Sequence, residues 1–159
     1  MALAYVEYYT YEDYRHWDGD WELIEGHPIA MAPPMIRHQS IATKIAAQLE
    51  IGMQECNECD VVMEEDYKIS EETVVRPDIS LICNEESETY IMKPPLLIVE
   101  VVSPSTVLKD ERVKYALYEQ EGVQYYILVY PKDLRAKIFK NSDSGFKKIG
   151  DFFYRDVLF

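Results

Sequence analysis

The sequence predicts a single α/β domain with a central mixed β-sheet flanked by helices. The chain has 159 residues and 48% hydrophobic side chains, which is enough for one domain with a substantial core. Short apolar runs typical of strands alternate with two segments of helical periodicity. The second helical segment lies between two strand-like runs, and a right-handed crossover of that kind makes its two strands parallel. We expect this domain to span residues 1–159.

The N-terminal third is predicted to contain a short helix, a β-hairpin and a longer helix. Residues 10–17 form the short helix, because Thr10 and Asp13 make a capping pattern. Residues 22–31 are typical of a hairpin that turns near Gly26. Residues 37–54 form a helix with one apolar stripe at a spacing of four. That stripe consists of Ile41, Ile45, Leu49 and Met53.

The remaining segments complete an order αβββαβ, with added N- and C-terminal β-hairpins. The three strands are predicted at 60–69, 73–83 and 96–102. A helix follows at 106–121, where Gly122 is a typical C-terminal cap. The fourth strand, 123–130, stops at a proline, and the final hairpin pairs residues near 135–140 with residues near 146–153.

The charge of the chain argues against a tight, purely electrostatic grip on nucleic acid. The net charge is −13, whereas affinity for phosphate comes mainly from clustered Lys and Arg. Residues 131–148 are the exception, with six basic and two acidic side chains, a net +4 that leaves −17 elsewhere. A solvated hairpin is the favoured interpretation of this stretch. It is also the best candidate for a phosphate contact.

Cysteine content and hydropathy indicate a cytoplasmic protein with no membrane partner. Cys56, Cys59 and Cys83 are an odd number, which gives no disulfide framework. The spacing of Cys56 and Cys59 suits zinc or redox chemistry, but two ordinary thiols in a loop are the favoured interpretation. No apolar stretch approaches the ~20 residues that a spanning helix needs. The N-terminus lacks the pattern of a signal peptide.

Two carboxylates occupy positions where the chain is otherwise apolar. Glu100 is the centre of the strand 96–102, and Asp78 follows Pro77 in the strand 73–83. An ionised carboxylate buried without a partner costs several kcal/mol, so each acid needs a cation, a raised pKa or access to solvent. If these strands pair, Asp78 and Glu100 converge at one end of the sheet. Two acids so placed predict a divalent-metal site.

The second helix offers a cation for that site. Asp110, Lys114 and Tyr118 recur every four residues and lie on one stripe. Either the first two form an exposed pair that supports the helix, or Lys114 is directed over the strand ends toward the two carboxylates. In the second case Lys114 balances buried charge and stabilises a phosphoryl transition state. Mg²⁺ or Mn²⁺ would take oxygen ligands from Asp78, Glu100 and the carbonyl of Val101.

Several other side chains are candidates for secondary roles. His38 and Gln39 begin the long helix, and a role for His38 near the cleft is slightly favoured over a capping role. Ser103 follows the strand of Glu100, where it either binds phosphate or caps the turn before Pro104. Glu22 contributes from the first hairpin or lies on the surface, and the surface position is favoured.

An ordered set of motifs resembles the Uma2 family, a group of bacterial proteins within the PD-(D/E)xK nuclease superfamily. The resemblance covers most of residues 8–131. Its motifs are Arg76-Pro-Asp, Leu97-Ile-Val-Glu-Val-Val-Ser-Pro-Ser-Thr, Asp110-x-x-x-Lys114 and Gly122-Val-x-Tyr-Tyr. Three upstream segments are similar to the family as well. They are Tyr11-Glu-Asp-Tyr, Glu22-Leu-Ile-Glu-Gly and Arg37-His-Gln.

The resemblance implies a restriction-endonuclease-like core in which Asp78 and Glu100 bind metal. The usual superfamily lysine would fall at Val102, but Uma2-like sequences place it on the following helix, where this chain has Lys114. The family often has an acid at the position of Tyr130. We therefore hypothesise a Mg-dependent endonuclease that hydrolyses phosphodiester bonds of DNA.

Other functions and assemblies stay open from sequence. The fold could serve as a non-catalytic binding or assembly module, which the acidic composition favours. A nuclease acting on RNA or branched DNA is the third hypothesis. The aromatic segments 5–11, 125–130 and 152–159 indicate a homodimer interface, since Tyr is enriched at interfaces, or simply core packing.

Overall fold

The computed structural model describes residues 7–153, which form two β-sheets and three helical segments. The helical segments are α1 (Tyr11–Tyr14), α2 (Ile36–Met53) and a continuous pair made of a π-helical turn (Lys109–Val113) and α3 (Lys114–Glu121). The strands are β1 (Trp21–Ile24), β2 (His27–Ala30), β3 (Cys59–Met63), β4 (Tyr67–Ser70), β5 (Thr73–Val75), β6 (Ile79–Cys83), β7 (Leu97–Val101), β8 (Tyr125–Tyr130), β9 (Arg135–Ser142) and β10 (Gly145–Phe153).

The larger sheet is mixed, as predicted. Its six strands lie in the order β10-β9-β8-β7-β6-β3, and only β7 and β8 are parallel within it. These are the two strands that the second helix connects, so the predicted crossover is confirmed. The smaller sheet is antiparallel, with the order β2-β1-β5-β4. The predicted N-terminal hairpin is therefore present and has been extended by two further strands.

Two of the predicted strands are each broken in two. The run 60–69 divides into β3 and β4, because Glu64 adopts a positive φ of 51° that no regular strand accommodates. The run 73–83 divides into β5 and β6 at Pro77, which has no N–H to give to a ladder. In both cases the halves join different sheets. Asp78 consequently lies where the chain passes from one sheet to the other.

The second helix is also less regular than predicted. It has a π-helical turn over Lys109–Val113, and the regular α-helix that follows runs from Lys114. The helix ends at Gly122, which has a φ of 83° and caps the C-terminus as expected. Wide turns of this kind are rare and frequently occur at functional sites. Here the turn contains the buried Asp110 and leads directly into Lys114.

The core lies on both faces of the large sheet. On one face, Tyr118 of α3 packs over side chains of β7 and β8, including Ile98, Tyr126 and Leu128. On the other face, α2 covers Ile79, Val99 and Val101. Because β7 is covered on both faces, its apolar sequence is explained. Glu100 shares the face of Ile98 and therefore points toward α3.

The cysteine prediction was wrong. Cys59 and Cys83 are directly opposite in the antiparallel pair β3–β6 and form a disulfide, with their Cα atoms 4.1 Å apart. Cys59 is thus part of a strand rather than a loop, and only Cys56 is a free thiol among the described residues. The pairing depends on strand register across 24 residues, which cysteine spacing alone does not reveal.

Two further observations concern membranes and assembly. Within residues 7–153, none of the helices combines the length and apolar character needed to cross a bilayer. The predicted dimer interface falls partly on residues 5–6 and 154–159, which lie outside the described residues. Among its described residues, Tyr8, Phe152 and Phe153 are exposed, and Ile149 on the same edge strand β10 as the two phenylalanines is exposed as well.

The two-sided core leads to a first prediction on stability. Ile98 is fully buried in the core, whereas Ile51 on α2 is 58% exposed. We expect Ile98→Ala to lower the free energy of unfolding by about 2–5 kcal/mol, because it removes buried methylenes and leaves a cavity. The matched change Ile51→Ala should alter it by less than about 0.5 kcal/mol. Urea denaturation measures both, and equal effects would contradict the assigned core.

Candidate active site

Asp78 and Glu100 meet at one end of the neighbouring inner strands β6 and β7 of the large sheet. The antiparallel register sets Ile79 opposite Val99, which brings the preceding Asp78 across from Glu100. The Asp78 Oδ2 atom accepts a hydrogen bond of 2.7 Å from the main-chain N–H of Val101. Its side chain is 15% exposed, whereas Glu100 is 3% exposed. One acid thus reaches solvent while its neighbour is buried.

Lys114 is buried between two carboxylates. Its Nζ atom lies 2.9 Å from Glu100 Oε1 and 2.7 Å from Glu22 Oε1. The Tyr118 hydroxyl, one turn further along α3, donates to the same Glu100 oxygen at 3.0 Å. The structure therefore places Lys114 and Tyr118 against Glu100 and not on the helix surface.

Glu22 is the main residue that sequence reasoning misplaced. It is fully buried, and its Oε2 atom lies 2.8 Å from the ammonium of Lys109. Its Oε1 atom also accepts the main-chain N–H of Arg76 at 2.8 Å. The favoured surface position was wrong, although a signal existed. Glu22 stands among Trp21, Leu23 and Ile24 in a short apolar strand, which is the same anomaly that identified Glu100.

Asp110 adds a fourth carboxylate to this cluster, the third that is buried. It is 2% exposed, and its main-chain carbonyl accepts the Tyr126 hydroxyl at 2.7 Å. With every group ionised, the site would contain four carboxylates and two ammonium groups, a formal excess of two negative charges before His38 is considered. The carboxylates are Glu22, Asp78, Glu100 and Asp110, and the ammonium groups are Lys109 and Lys114.

The two carboxylates that share Lys114 have opposite pKa shifts. Burial raises the pKa of Glu100 well above its ordinary value, and attraction to Lys114 offsets only part of this. Burial would also raise the pKa of Glu22, but Lys114 and Lys109 together outweigh it and lower the pKa to about 2. The difference arises because Glu22 pairs with two ammonium groups and Glu100 with one. Of these two carboxylates, Glu100 is therefore the one whose negative charge is less fully compensated by neighbouring cations.

His38 approaches the site from the other face of the sheet. Its Nε2 atom lies 3.2 Å from Asp78 Oδ2, and that hydrogen bond raises the pKa of the imidazole. Across residues 7–153, His38 Nδ1 is the one buried side-chain polar atom with no hydrogen-bond partner. Gln39 is turned away and donates to Glu64 Oε1 at 2.9 Å. It contacts only the margin of the site, since the Glu64 N–H binds the Asp78 carbonyl.

Ser103, Val102 and Tyr130 each make contacts that stabilise the fold. The Ser103 hydroxyl lies 3.1 Å from Thr106 Oγ1, and its N–H donates to the same atom, which is the arrangement of a capped turn. Val102 is buried in the core. The Tyr130 hydroxyl bonds to Glu111 Oε1. None of the three contacts Asp78 or Glu100 through a side-chain hydrogen bond recorded in the described part of the chain.

The oxygen atoms of the site fit a hard divalent cation. Asp78 and Glu100 provide two carboxylates beside the main chain of Val101, and Mg²⁺ commonly takes one or two carboxylates together with water and substrate oxygens. The excess of two negative charges matches one such ion. Residues 7–153 contain no ready-made group of three His, Cys, Asp or Glu side chains around one point.

Comparison with solved structures shows a fold that this chain shares with another protein over most of its length. A crystal structure of a "putative nuclease belonging to DUF820" from Anabaena variabilis superposes with a TM-score of 0.77 at 16% identity, over 94% of this chain and 87% of that one. The type IIG restriction endonuclease BpuSI matches at a TM-score of 0.48 and 15% identity, over 79% of this chain and 15% of the enzyme.

Sequence comparison identifies the family. An uncharacterized protein of Synechocystis sp. is 26% identical over 145 residues, which is 84% of this chain and 75% of that protein. Residues 5–150 match the model of the Uma2 family, described as "Putative restriction endonuclease". Because the match spans nearly the entire chain, the protein belongs to the Uma2 family.

Proposed function

We propose that this protein is a metal-dependent endonuclease that hydrolyses phosphodiester bonds of DNA. The observation that supports this most directly is the position of Asp78 opposite Glu100, with Lys114 buried against Glu100 at 2.9 Å. Oxygen ligands and a nearby ammonium are what metal-assisted phosphoryl transfer requires. The family and the fold support the same class of chemistry.

Asp78, Glu100 and the Val101 carbonyl would hold Mg²⁺ or Mn²⁺. Such a cation, when bound, lowers the pKa of a water molecule and neutralises charge on the phosphoryl group. Glu100 is suited to this role because it has one ammonium partner and a raised pKa, so added positive charge is favourable there. Tyr118 fixes the orientation of the Glu100 carboxylate through its hydroxyl.

Lys114 and His38 would act on the substrate from opposite sides. Two of the three N–H donors of Lys114 are directed at Glu22 and Glu100, which leaves one for a phosphate oxygen or an attacking water. The carboxylates outweigh burial and raise the pKa of Lys114, so the ammonium stays charged during turnover. His38 lies against Asp78, where a protonated ring can bind phosphate and a neutral ring can accept a proton.

The hairpin β9–β10 provides the region of positive charge for a DNA backbone. Lys132, Lys140 and Lys147 are exposed there, whereas Arg135 is paired with Asp151. The hairpin is joined to β7 through β8, so it extends the same sheet on which Glu100 lies. Because the protein has a net charge of −13, its binding of DNA should be weak and should depend on the salt concentration.

The acidic chain favours one alternative, a non-catalytic binding or assembly module on the same fold. RNA or branched DNA is an alternative substrate for the enzyme.

We also propose that the protein is a homodimer, since the edge strand β10 exposes Ile149, Phe152 and Phe153. We expect light scattering to give twice the mass of the chain and Ile149→Lys to give the monomer mass. A monomeric wild type would contradict the dimer.

The metal site leads to a prediction on Glu100→Gln. The change keeps the shape of the side chain but removes the negative charge, so we expect Mg²⁺ and Mn²⁺ binding to vanish and cleavage to fall by about 100-fold or more. Calorimetric titration and a plasmid-cleavage assay measure the two effects, with RNA and branched DNA tested in parallel. Glu50→Gln, an exposed position on α2, is the matched control.

Two results would contradict the proposal. Unchanged metal binding and cleavage in Glu100→Gln would show that the residue is not a ligand. Neither metal binding nor cleavage by the wild type, even with DNA present, would instead support the binding module.

Glu22 leads to a prediction on pH. Its pKa is about 2 in the folded protein and ordinarily 4.5, so its contribution to stability is full above pH 4.5 and is lost as pH falls toward 2. We expect the wild type to exceed Glu22→Gln in unfolding free energy by about 3 kcal/mol near neutral pH, and this gap to close across that range. Denaturation at a series of pH values measures it. Glu25→Gln, exposed on the same hairpin, should show no such gap, and a constant gap for Glu22→Gln would refute the ion pairing.

A further inference from the structure

A cavity of about 520 Å³ lies beside the candidate active site and has aromatic walls. Five of its lining side chains are aromatic, and their rings meet mostly edge to face, with centroids 5.5–6.2 Å apart. The aromatic residues are Tyr11, Tyr14, Trp17, Trp21 and Tyr90. Such a volume suits a small planar molecule, and Tyr and Trp rings are surfaces on which such a molecule can stack, although the Lys68 ammonium already lies 4.1 Å from the centre of the Tyr11 ring.

The charged groups of the cavity are fixed in place. Arg76 donates from Nε to Asp66 at 2.8 Å and from Nη1 to Asp20 at 2.7 Å. The Tyr14 hydroxyl donates to Asp66 as well, at 3.0 Å. The Asp66 carboxylate, the one acid in the lining, is therefore already engaged. Arg15 at the rim adds a second guanidinium. Both guanidinium groups are thus compensated by neighbouring acids, Arg76 by Asp66 and Asp20 and Arg15 by Glu12.

The cavity and the site are connected through two short stretches of chain and one hydrogen bond. Arg76 lines the cavity and is two residues before Asp78, while Trp21 lines it and immediately precedes Glu22. The main-chain N–H of Arg76 donates to Glu22 Oε1 at 2.8 Å, so the two regions are held in one geometry. A nucleotide chain at Asp78 and Glu100 would have its adjoining base near this opening.

We propose that the cavity receives an unpaired nucleobase of the strand that is cleaved, an inference that rests on the proposed function. Every base has a face that can stack on Tyr and Trp, and guanidinium groups stack on bases as well. Stacking also supplies affinity that the acidic surface cannot obtain from phosphate contacts. Since a base inside a duplex must first be extruded, the preferred substrate contains a single-stranded or bulged nucleotide.

The chain offers a specific reporter for this proposal. Trp17 and Trp21 are its two tryptophans, and both line the cavity, so intrinsic tryptophan fluorescence reports on its contents. The probe is a DNA duplex with one bulged thymidine, compared with the same duplex carrying an abasic site at the bulge. With metal-free protein, we expect quenching by the bulged base and roughly 5- to 150-fold weaker binding of the abasic duplex, the range for loss of one base–aromatic stack.

Variants separate stacking from a general loss of structure. Tyr90→Leu and Trp17→Leu should each reduce the preference for the bulged base, with Trp21 as the reporter in the second case. Tyr125→Leu, on β8 and outside the cavity, is the matched control and should keep the preference. Circular dichroism checks that each variant is folded. Because two variants are used, the test still holds if one of them does not fold.

The outcomes also separate this proposal from the proposed function. Equal binding of the bulged and abasic duplexes, or quenching by tetramethylammonium but not by DNA, would overturn the base-binding cavity even if the wild type cleaves DNA. Quenching by the bulged base in Glu100→Gln, without cleavage, is expected if the cavity binds the base and the carboxylates do the chemistry. Quenching in a wild type that never cleaves would leave base binding intact and overturn the endonuclease.

Discussion

The contact on which the rest of the structure depends is the burial of Lys114 between Glu22 and Glu100. The three residues belong to three different elements, since Glu22 lies in the small sheet, Glu100 in the large sheet and Lys114 on α3. Removing one partner of a buried ion pair typically costs about 3–5 kcal/mol, a large share of the roughly 5–15 kcal/mol that a domain has. The same ammonium therefore fixes the two sheets and orients a proposed metal ligand, which couples stability to the site.

The break in the chain at Arg76, Pro77 and Asp78 has a comparable double role. Pro77 ends one sheet and allows the other to begin, so its two neighbours are released from strand pairing. Asp78 is then directed to Val101 and His38, while Arg76 is directed to Asp66 and the aromatic cavity. A regular strand would have kept both side chains on one face of one sheet. Within three residues, the chain thus directs Asp78 to the proposed metal site and Arg76 to the proposed base-binding cavity.

Features of the fold that depend on residues close together in the sequence were predicted from local patterns. An acid inside an apolar run must have a partner, and this reasoning predicted Lys114 against Glu100, where the structure has an Nζ–Oε1 distance of 2.9 Å. The roles of Asp78, Glu100 and Lys114 in a metal site stay a prediction. The α3 helix with its glycine cap and the parallel pair β7–β8 followed from periodicity and crossover geometry. What failed depends on long-range pairing. The division of two strands between sheets, the Cys59–Cys83 disulfide and the burial of Glu22 are decided by residues 24 to 92 positions away, which local patterns do not contain.

In the proposed function, the negative charge of the site would set an order of events. With all groups ionised, the carboxylates of Glu22, Asp78, Glu100 and Asp110 exceed the two ammonium groups by two charges, and burial already raises the pKa of Glu100 and of Asp110. The proposed cation would offset this charge and with it the repulsion of an approaching phosphate. Metal binding and substrate binding should therefore reinforce each other, because each lowers the electrostatic cost of the other. A stacking cavity adjoining this cluster would contribute affinity that does not depend on charge. On this view an acidic chain is compatible with a nucleic acid substrate, provided that the cation arrives before or with the phosphate.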